Sequence, residues 1–480
     1  MGTREAIPRS EHRMVFGDWQ TPTALAREVV ALMRGRMPGA AAVLEPTCGQ
    51  GTFLREAATA FPRAVLAGFD VNEGYVQAAR ACLPAERSRL RAADFFGVAW
   101  EAELAVLPEP LLILGNPPWV TSAALGAVRA GNLPEKRNAR GRRGIDAKTG
   151  TSNFDISEWM ISRLIAAARG RRFTLAMLCK ATVARRVMEH AAAEGWCLAG
   201  EVRAIDAHRH FGASVDAALL VVSPGSEGRG EMRWPVYPSL GASNPGLRMG
   251  VVDGVACSDI DGYRRTESLQ GRSMLEWRSG LKHDCAAVME LERKESGLVN
   301  RLGERVDVEE DWVHPLLKGS DLAKGQAVPR REVIVTQRRL GEDTESLRER
   351  APRLWRYLEQ HRGRFEARKS SVYRGQPPFA MFGVGEYSFS PYKVAICGLY
   401  KRLSFTLVEP IGGRAVMVDD TAYFLPCATR EQAKALCEAL NGPAAREFFE
   451  ARVFWDAKRP IRKELLRSLS LDALLLVNRP

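Results

Sequence analysis

The sequence has no paired cysteines. Nine cysteines are scattered singly through 480 residues, with no Cys-x-x-Cys among them. An odd count without zinc-like spacing excludes a disulfide scaffold and fits reduced thiols packed as small hydrophobes. The seven histidines are equally dispersed, so no structural metal is expected. No apolar run approaches the roughly 18 residues that a membrane helix needs. The opening MGTREAIPRSEHRM lacks the apolar stretch of a secretory signal, and Ala6 stands where a myristoylation site requires Ser or Thr. A chain without membrane contact, in the cytoplasm, is the expectation. Repeats and low-complexity tracts are also missing.

Lysine is scarce: 56 of the 69 cationic residues are arginine. That balance fits phosphate and base recognition by a bidentate guanidinium, and it equally fits a GC-rich genome. The net charge of +12 points to a polyanionic partner. Its distribution is uneven. Residues 1–110 hold 12 Lys/Arg and 13 Asp/Glu, whereas the rest of the chain holds 57 and 44. The length and the ordinary hydrophobic content of 46% indicate a globular protein of two or three domains.

The first half alternates apolar runs with helical spacing. Strands are expected at 41–45, 64–70, 87–94, 111–115, 171–179, 198–206 and 216–223, and helices at 52–60, 73–82, 154–170 and 181–193. This pattern predicts an α/β fold, a seven-stranded doubly wound Rossmann-like sheet. The tract GSEGRGEMRWP (225–235) reads as a linker. Beyond it, strands at 331–337, 391–400 and 415–425 and helices at 347–369 and 430–451 predict an α+β domain. The division expected is an arm over 1–20, a first domain over 21–228 containing a basic loop at 121–150, and a second domain over 229–480.

Sites in doubly wound sheets lie at the carboxyl ends of the strands. The first strand ends in Glu45-Pro46-Thr47-Cys48-Gly49-Gln50-Gly51. No Gly-Lys-Ser/Thr follows, so this is not a Walker loop, and the third glycine of a dinucleotide fingerprint is missing. Gly49 and Gly51 permit close approach of a ligand, and the preceding acid suits a ligand bearing an ammonium and a carboxylate. A tight strand-to-helix turn is the plainer alternative. Asp70 closes the second strand, where a carboxylate can accept both hydroxyls of a ribose. Asp94, followed by Phe95 and Phe96, closes the third and can accept from an adenine amine while an aromatic covers the ring. Each acid alone is also an ordinary strand-end residue.

Asn116-Pro117-Pro118-Trp119 follows the fourth strand directly. Proline fixes φ and removes NH donors, so this loop presents carbonyls in a rigid arc. The Asn116 amide oxygen and the Pro117 carbonyl are two acceptors for one exocyclic amine, which would keep its lone pair out of ring conjugation. Trp119 offers a flat face for the base. The alternative is a Pro-Pro strand terminator beside a core tryptophan.

In this order and at these spacings, EPTCGQGTF, AGFD, ADFF and NPPW resemble the amino-methyltransferases of DNA, and the preceding Gln20-Thr21-Pro22 resembles the methionine-binding motif of their gamma subgroup. The resemblance covers roughly 20–223. It implies S-adenosylmethionine as cofactor, with Thr21, Glu45, Pro46, Thr47, Gly49 and Gly51 holding its methionine part, Asp70 its ribose, and Asp94 with Phe95 its adenine. It implies catalysis by Asn116, Pro117, Pro118 and Trp119 on a base flipped out of double-stranded DNA. NPPW rather than SPPY resembles adenine-N6 specificity, that of a site-specific adenine DNA methyltransferase in a restriction-modification system. Relatives often stack a second aromatic on the base; Phe211, in HFGASVDAALLVVS, is the candidate here. HPLLKGSDL (314–322) and FWDAKRPIRKELLRSLSL (454–471) resemble a TaqI-like specificity domain. A separate cognate restriction endonuclease is the implied partner.

Two basic tracts are candidates for DNA contact. Residues 121–150 hold seven Lys/Arg, Arg142 and Arg143 among them, against two Asp/Glu. Arg353–Arg374 holds seven against two, with Trp355, Tyr357, Phe365, Lys369 and Tyr373 interleaved. A disordered insertion and a solvated helix packing its aromatics inward are the respective alternatives. His283-Asp284-Cys285 reads as structural, and Glu292-Arg293-Lys294, nuclease-like in letters, reads as part of a helix. Two other functions stay open: amino-methylation of cytosine N4, RNA or protein glutamine, and a DNA-binding specificity module with an inactive methylase core.

Overall fold

The computed structural model describes residues 20–120, 155–225 and 232–477. The arm and the basic loop, with Arg142 and Arg143, lie outside the described residues apart from Gln20. The chain divides into two compact units, Met1–Ile260 and Asp261–Pro480.

The first unit is built on a mixed sheet with helices on both faces. Its elements are α1 (Thr23–Arg36), β1 (Ala42–Glu45), α2 (Thr52–Ala60), β2 (Val65–Asp70), α3 (Glu73–Ala81), β3 (Ser88–Ala92), α4 (Trp100–Ala105), β4 (Leu111–Gly115), α5 (Ile156–Ala168), β5 (Phe173–Lys180), α6 (Ala181–Ala193), β6 (Leu198–Ile205), α7 (Ala207–Phe211) and β7 (Ala217–Pro224), followed by β8 (Met232–Tyr237), β9 (Leu247–Val252) and β10 (Val255–Cys257). The pleat explains the continuous apolar runs. Leu111 and Ile113 of β4 join one core with α4, α5 and α6, while Leu112 and Leu114 join the other with α1, α2 and α3. A strand covered on both faces has no polar side to show.

The strand order is β10-β9-β8-β6-β7-β5-β4-β1-β2-β3. From β1 the chain first builds outward through β2 to β3, then returns to lay β4 and β5 on the other side, all five parallel. The order therefore reverses between β1 and β4, the crevice where ligands of such sheets bind. β7 runs antiparallel between β5 and β6.

The sheet has ten strands, not the seven expected. The tract read as a linker leads into β8, which pairs parallel with β6 and carries β9 and β10 onto the edge, so the first unit extends to Ile260 rather than 228. Trp234 supplies the reason. Its ring is fully buried, Nε1 donates to the Leu198 carbonyl at 3.3 Å, and ring atoms lie 2.4 Å from where a Cβ on Gly200 would stand. Glycine at 200 is the space into which the indole fits.

The second unit contains a four-stranded sheet centred on Tyr392–Cys397 and Ala422–Cys427, and a six-stranded sheet including Glu290–Lys294, Val313–Leu317 and Arg331–Ile334. Glu292-Arg293-Lys294 is a strand rather than a helix, because Gly297 at φ 111° closes a tight hairpin pairing Lys294 with Gly297. Arg293 bridges Glu310 and Glu332. The helix expected over 347–369 is interrupted at Ala351, which precedes Pro352, and that over 430–451 breaks at Gly442-Pro443. Among the described residues no helix is long and apolar enough to cross a membrane.

Trp234→Ala is expected to destabilise the first unit by about 3–5 kcal/mol, measured as a lower denaturant midpoint. An unchanged midpoint would mean that the β8 extension is not integral to that unit.

Candidate active site

The turn after β1 is drawn tight by backbone bonds. The Cys48 amide donates to the Phe69 carbonyl at 2.7 Å. The Gly49 amide donates to Asp70 Oδ2 at 2.8 Å, and the Asn72 amide to Asp70 Oδ1 at 2.9 Å. Asp70 thus straps the end of β2 to the turn after β1. Gly51, at φ 75°, starts α2 and meets Ala79, whose Cβ lies 2.9 Å from where one on Gly51 would be. Gly49 is overlain by Gln20, whose Oε1 is 2.9 Å from the corresponding Cβ position. Gln20 therefore lies against the glycine turn that Asp70 straps.

Glu45 is 3% exposed and its Oε2 has no hydrogen-bond partner; Thr47 Oγ1 is also buried without one. Burial, reinforced by the neighbouring Asp70, pushes the Glu45 carboxyl well above the usual carboxylate range. A buried acid with an unsatisfied oxygen is costly unless a cation or donor meets it. An alkylammonium would do so, and Thr47 Oγ1 lies in the same turn. Burial raises the Cys48 thiol too, which fits a space-filler and not a nucleophile.

Asp94 stands two residues beyond β3 and caps a short 3₁₀ turn, accepting from the Phe96 amide at 3.1 Å. Phe95 is buried, its ring 4.6 Å from Trp100 and 6.1 Å from Trp159. Phe96 is half-buried, 5.2 Å from Trp159. Of the two rings beside Asp94, Phe96 is the more exposed. Strand-end spacing alone does not distinguish two adjacent phenylalanines.

Beside the glycine turn, β4 delivers Asn116-Pro117-Pro118-Trp119. Register pairs Leu44 with Ile113, so the two strand ends lie side by side. A Cβ on Gly115 would stand 3.0 Å from Met177 Sδ and 3.6 Å from Pro46 Cδ. The absent side chain lets β1, β4 and β5 converge there. Asn116 is half-buried at this convergence and Pro117 is buried. Trp119 Nε1 donates to the Leu178 carbonyl at 3.3 Å. Phe211, at the end of α7, meets the Trp119 ring edge-to-face, with centroids 5.3 Å apart and planes at 69°.

Two residues absent from the sequence reading belong to this corner. Lys180, ending β5, donates to the Trp119 carbonyl at 2.9 Å and to Asp155 Oδ2 at 2.7 Å. The signals were a lone cation closing an apolar strand and an acid in helix N-cap position. In the second unit, Tyr357 and Phe365 pack inward, Lys369 is exposed, and Tyr373 is half-buried with the Arg368 guanidinium 3.6 Å from its ring centroid. His283 Nδ1 accepts from the Cys285 amide at 3.1 Å, an arrangement within its own turn.

No protein-family model matches the chain. The type II methyltransferase M.NspV of Nostoc sp. is 39% identical over 469 residues, spanning 96% of this chain and 97% of that protein. Among solved structures, the type IIL restriction-modification enzyme MmeI, determined in complex with DNA, matches with a TM-score of 0.56 at 13% identity, over 96% of this chain and 66% of that one. At that identity the likeness is one of fold.

Glu45 makes stability depend on pH. The folded chain holds this proton above about 4.5, where an unfolded glutamate releases it. The folded state then binds more protons, so this contribution to stability falls as pH rises. Ligand-free Glu45→Gln should therefore melt higher than wild type at neutral pH and lose less stability on going there from pH 4.5. Parallel melting curves across that range would contradict the placement of Glu45.

Proposed function

Because the chain belongs to the type II methyltransferases, we propose that it transfers a methyl group from S-adenosylmethionine to N6 of an adenine flipped out of duplex DNA, as a gamma-class enzyme with a TaqI-like specificity region. The observation that carries this reading is the buried Glu45 carboxyl with its unpartnered oxygen, on the strand adjacent to the one that delivers Asn116–Trp119.

The donor set fits the cofactor. Glu45 and Thr47 meet the ammonium and carboxylate of its methionine part, together with Thr21, Pro46 and the Gly49 and Gly51 backbone. Asp70 accepts from the ribose, and Asp94 with the Phe95–Phe96 pair serves the adenine. When bound, S-adenosylmethionine supplies an electrophilic methyl group on a sulfonium.

The chain's own residues act on the amine. The Asn116 side-chain oxygen and the Pro117 carbonyl accept its two hydrogens and hold its lone pair outside the ring system, which helps most as the nitrogen becomes positive. Pro118 stiffens the arc, and Trp119 stacks on the base with Phe211 beside it. No side chain need act as base, since the amine releases a proton to water after transfer. Extruding a base costs a few kcal/mol, offset by phosphate contacts from the arginine-rich remainder of the chain, where Lys369, Tyr373, Arg142 and Arg143 are candidates. The DNA-bound state of MmeI agrees with such a partner. A separate restriction endonuclease reading the same site would complete the system.

Asn116→Ala is expected to lower transfer on the order of 10²–10³-fold with cofactor affinity unchanged, followed by labelled-methyl incorporation and calorimetry. Near-normal incorporation would remove Asn116 from the mechanism. Nucleoside mass spectrometry of the product should give N6-methyladenine; N4-methylcytosine or methylated protein would redirect the reading.

A further inference from the structure

Lys180 is the one charged residue of the strand FTLAMLCK, and its ammonium joins three parts of the first unit. It sits on β5, donates to the Trp119 carbonyl at 2.9 Å, and donates to Asp155 Oδ2 at 2.7 Å. The lysine side chain is 24% exposed and that of Asp155 7%. Asp155 is itself fixed. Its Oδ1 accepts from the Ser157 amide at 3.1 Å and from Ser157 Oγ at 2.6 Å, capping α5. One backbone bond runs alongside, from the Ile156 amide to the Val120 carbonyl at 2.9 Å.

Charge-assisted bonds of this kind are roughly twice as strong as neutral ones. A buried carboxylate that lost its cation would be left uncompensated, so the pair resists separation. The consequence falls on Trp119. Its indole donates to the Leu178 carbonyl and its carbonyl accepts from Lys180, two attachments to the same strand. The two prolines before it have little rotational freedom. Anchoring the carbonyl of Trp119 therefore fixes the direction of the whole Asn116–Trp119 arc.

We infer that Lys180 is a positioning residue for methyl transfer: with Asp155 behind it, it clamps the Trp119 peptide so that the Asn116 and Pro117 oxygens converge on one amine. The inference rests on the reading of that loop given under Proposed function. It concerns the aim of the acceptors, not cofactor affinity, since the Glu45 turn and Asp70 are held by other bonds.

The test uses full-length Lys180→Met and Lys180→Arg beside Asn116→Ala, with kcat, KM for DNA, cofactor affinity and melting temperature measured for each. Misplacing reacting groups by about 1 Å costs on the order of a hundredfold in rate. Lys180→Met should lose kcat on that scale with cofactor affinity within about twofold of wild type. Lys180→Arg, which keeps a charged donor, should recover most of the loss. Adding Asp155→Asn to Lys180→Met should cost little more, because the two act as a unit. A kcat for Lys180→Met within about twofold of wild type overturns the inference. So does a loss that Arg does not rescue and that cofactor affinity and melting temperature share in proportion. If Asn116→Ala is inactive while Lys180→Met is active, only this inference fails; if Asn116→Ala is active, the reading beneath it fails.

Discussion

The contact between β1 and β4 governs this protein. Where chain order reverses, two parallel strands that are distant in sequence lie side by side, and each releases its following turn into the same crevice. Gly115 is the constraint. A Cβ there would press on the Met177 side chain at 3.0 Å and come into ordinary contact with Pro46 at 3.6 Å, so little space is left between the Glu45 turn and the Asn116 loop. A buried carboxyl and a proline-stiffened loop are held side by side by the β1–β4 pairing. On the proposed reading, Glu45 would take a cation there and Asn116 with Pro117 an amine.

The rest of the first unit serves that corner. Asp70 straps the end of β2 to the glycine turn, Gln20 covers it, and Lys180 with Asp155 ties the end of β5 to the loop after β4. Each strap uses a charged or amide side chain at a strand end or just before a helix, while the strands that carry the site are almost wholly apolar. Rigidity comes from the sheet, and orientation from a few polar bonds at its rim.

Much of the first unit was legible because both faces of its sheet are covered. Runs such as LLILG and AVLE cannot alternate, so their limits are sharp, and helices such as Ala181–Ala193 keep a clear apolar stripe. The β8 extension was not legible. Glycine, serine and proline precede a further strand of the same sheet as readily as they mark a domain linker, and only the fit of Trp234 onto Gly200 decides between them. In the second unit, short strands and helices broken at Ala351-Pro352 and Gly442-Pro443 blur the spacing. The candidate site followed the same division. Glu45, Asp70 and Asn116 stand out because each closes or follows a strand. Lys180 and Asp155 did not, since their pairing joins residues 25 apart through tertiary structure alone.

The central claim is that one crevice receives both a cofactor and an extruded amine. A crystal structure of the full chain with duplex DNA and sinefungin, an unreactive analogue carrying an amine where the methyl group would be, tests it directly. The account predicts the analogue's α-amino group on Glu45, and an adenine amine donating to Asn116 and Pro117 at about the 2.7–3.2 Å of N–H···O hydrogen bonds. An analogue bound elsewhere, or a base that remains stacked while side chains fill the space between Glu45 and Asn116, would contradict it.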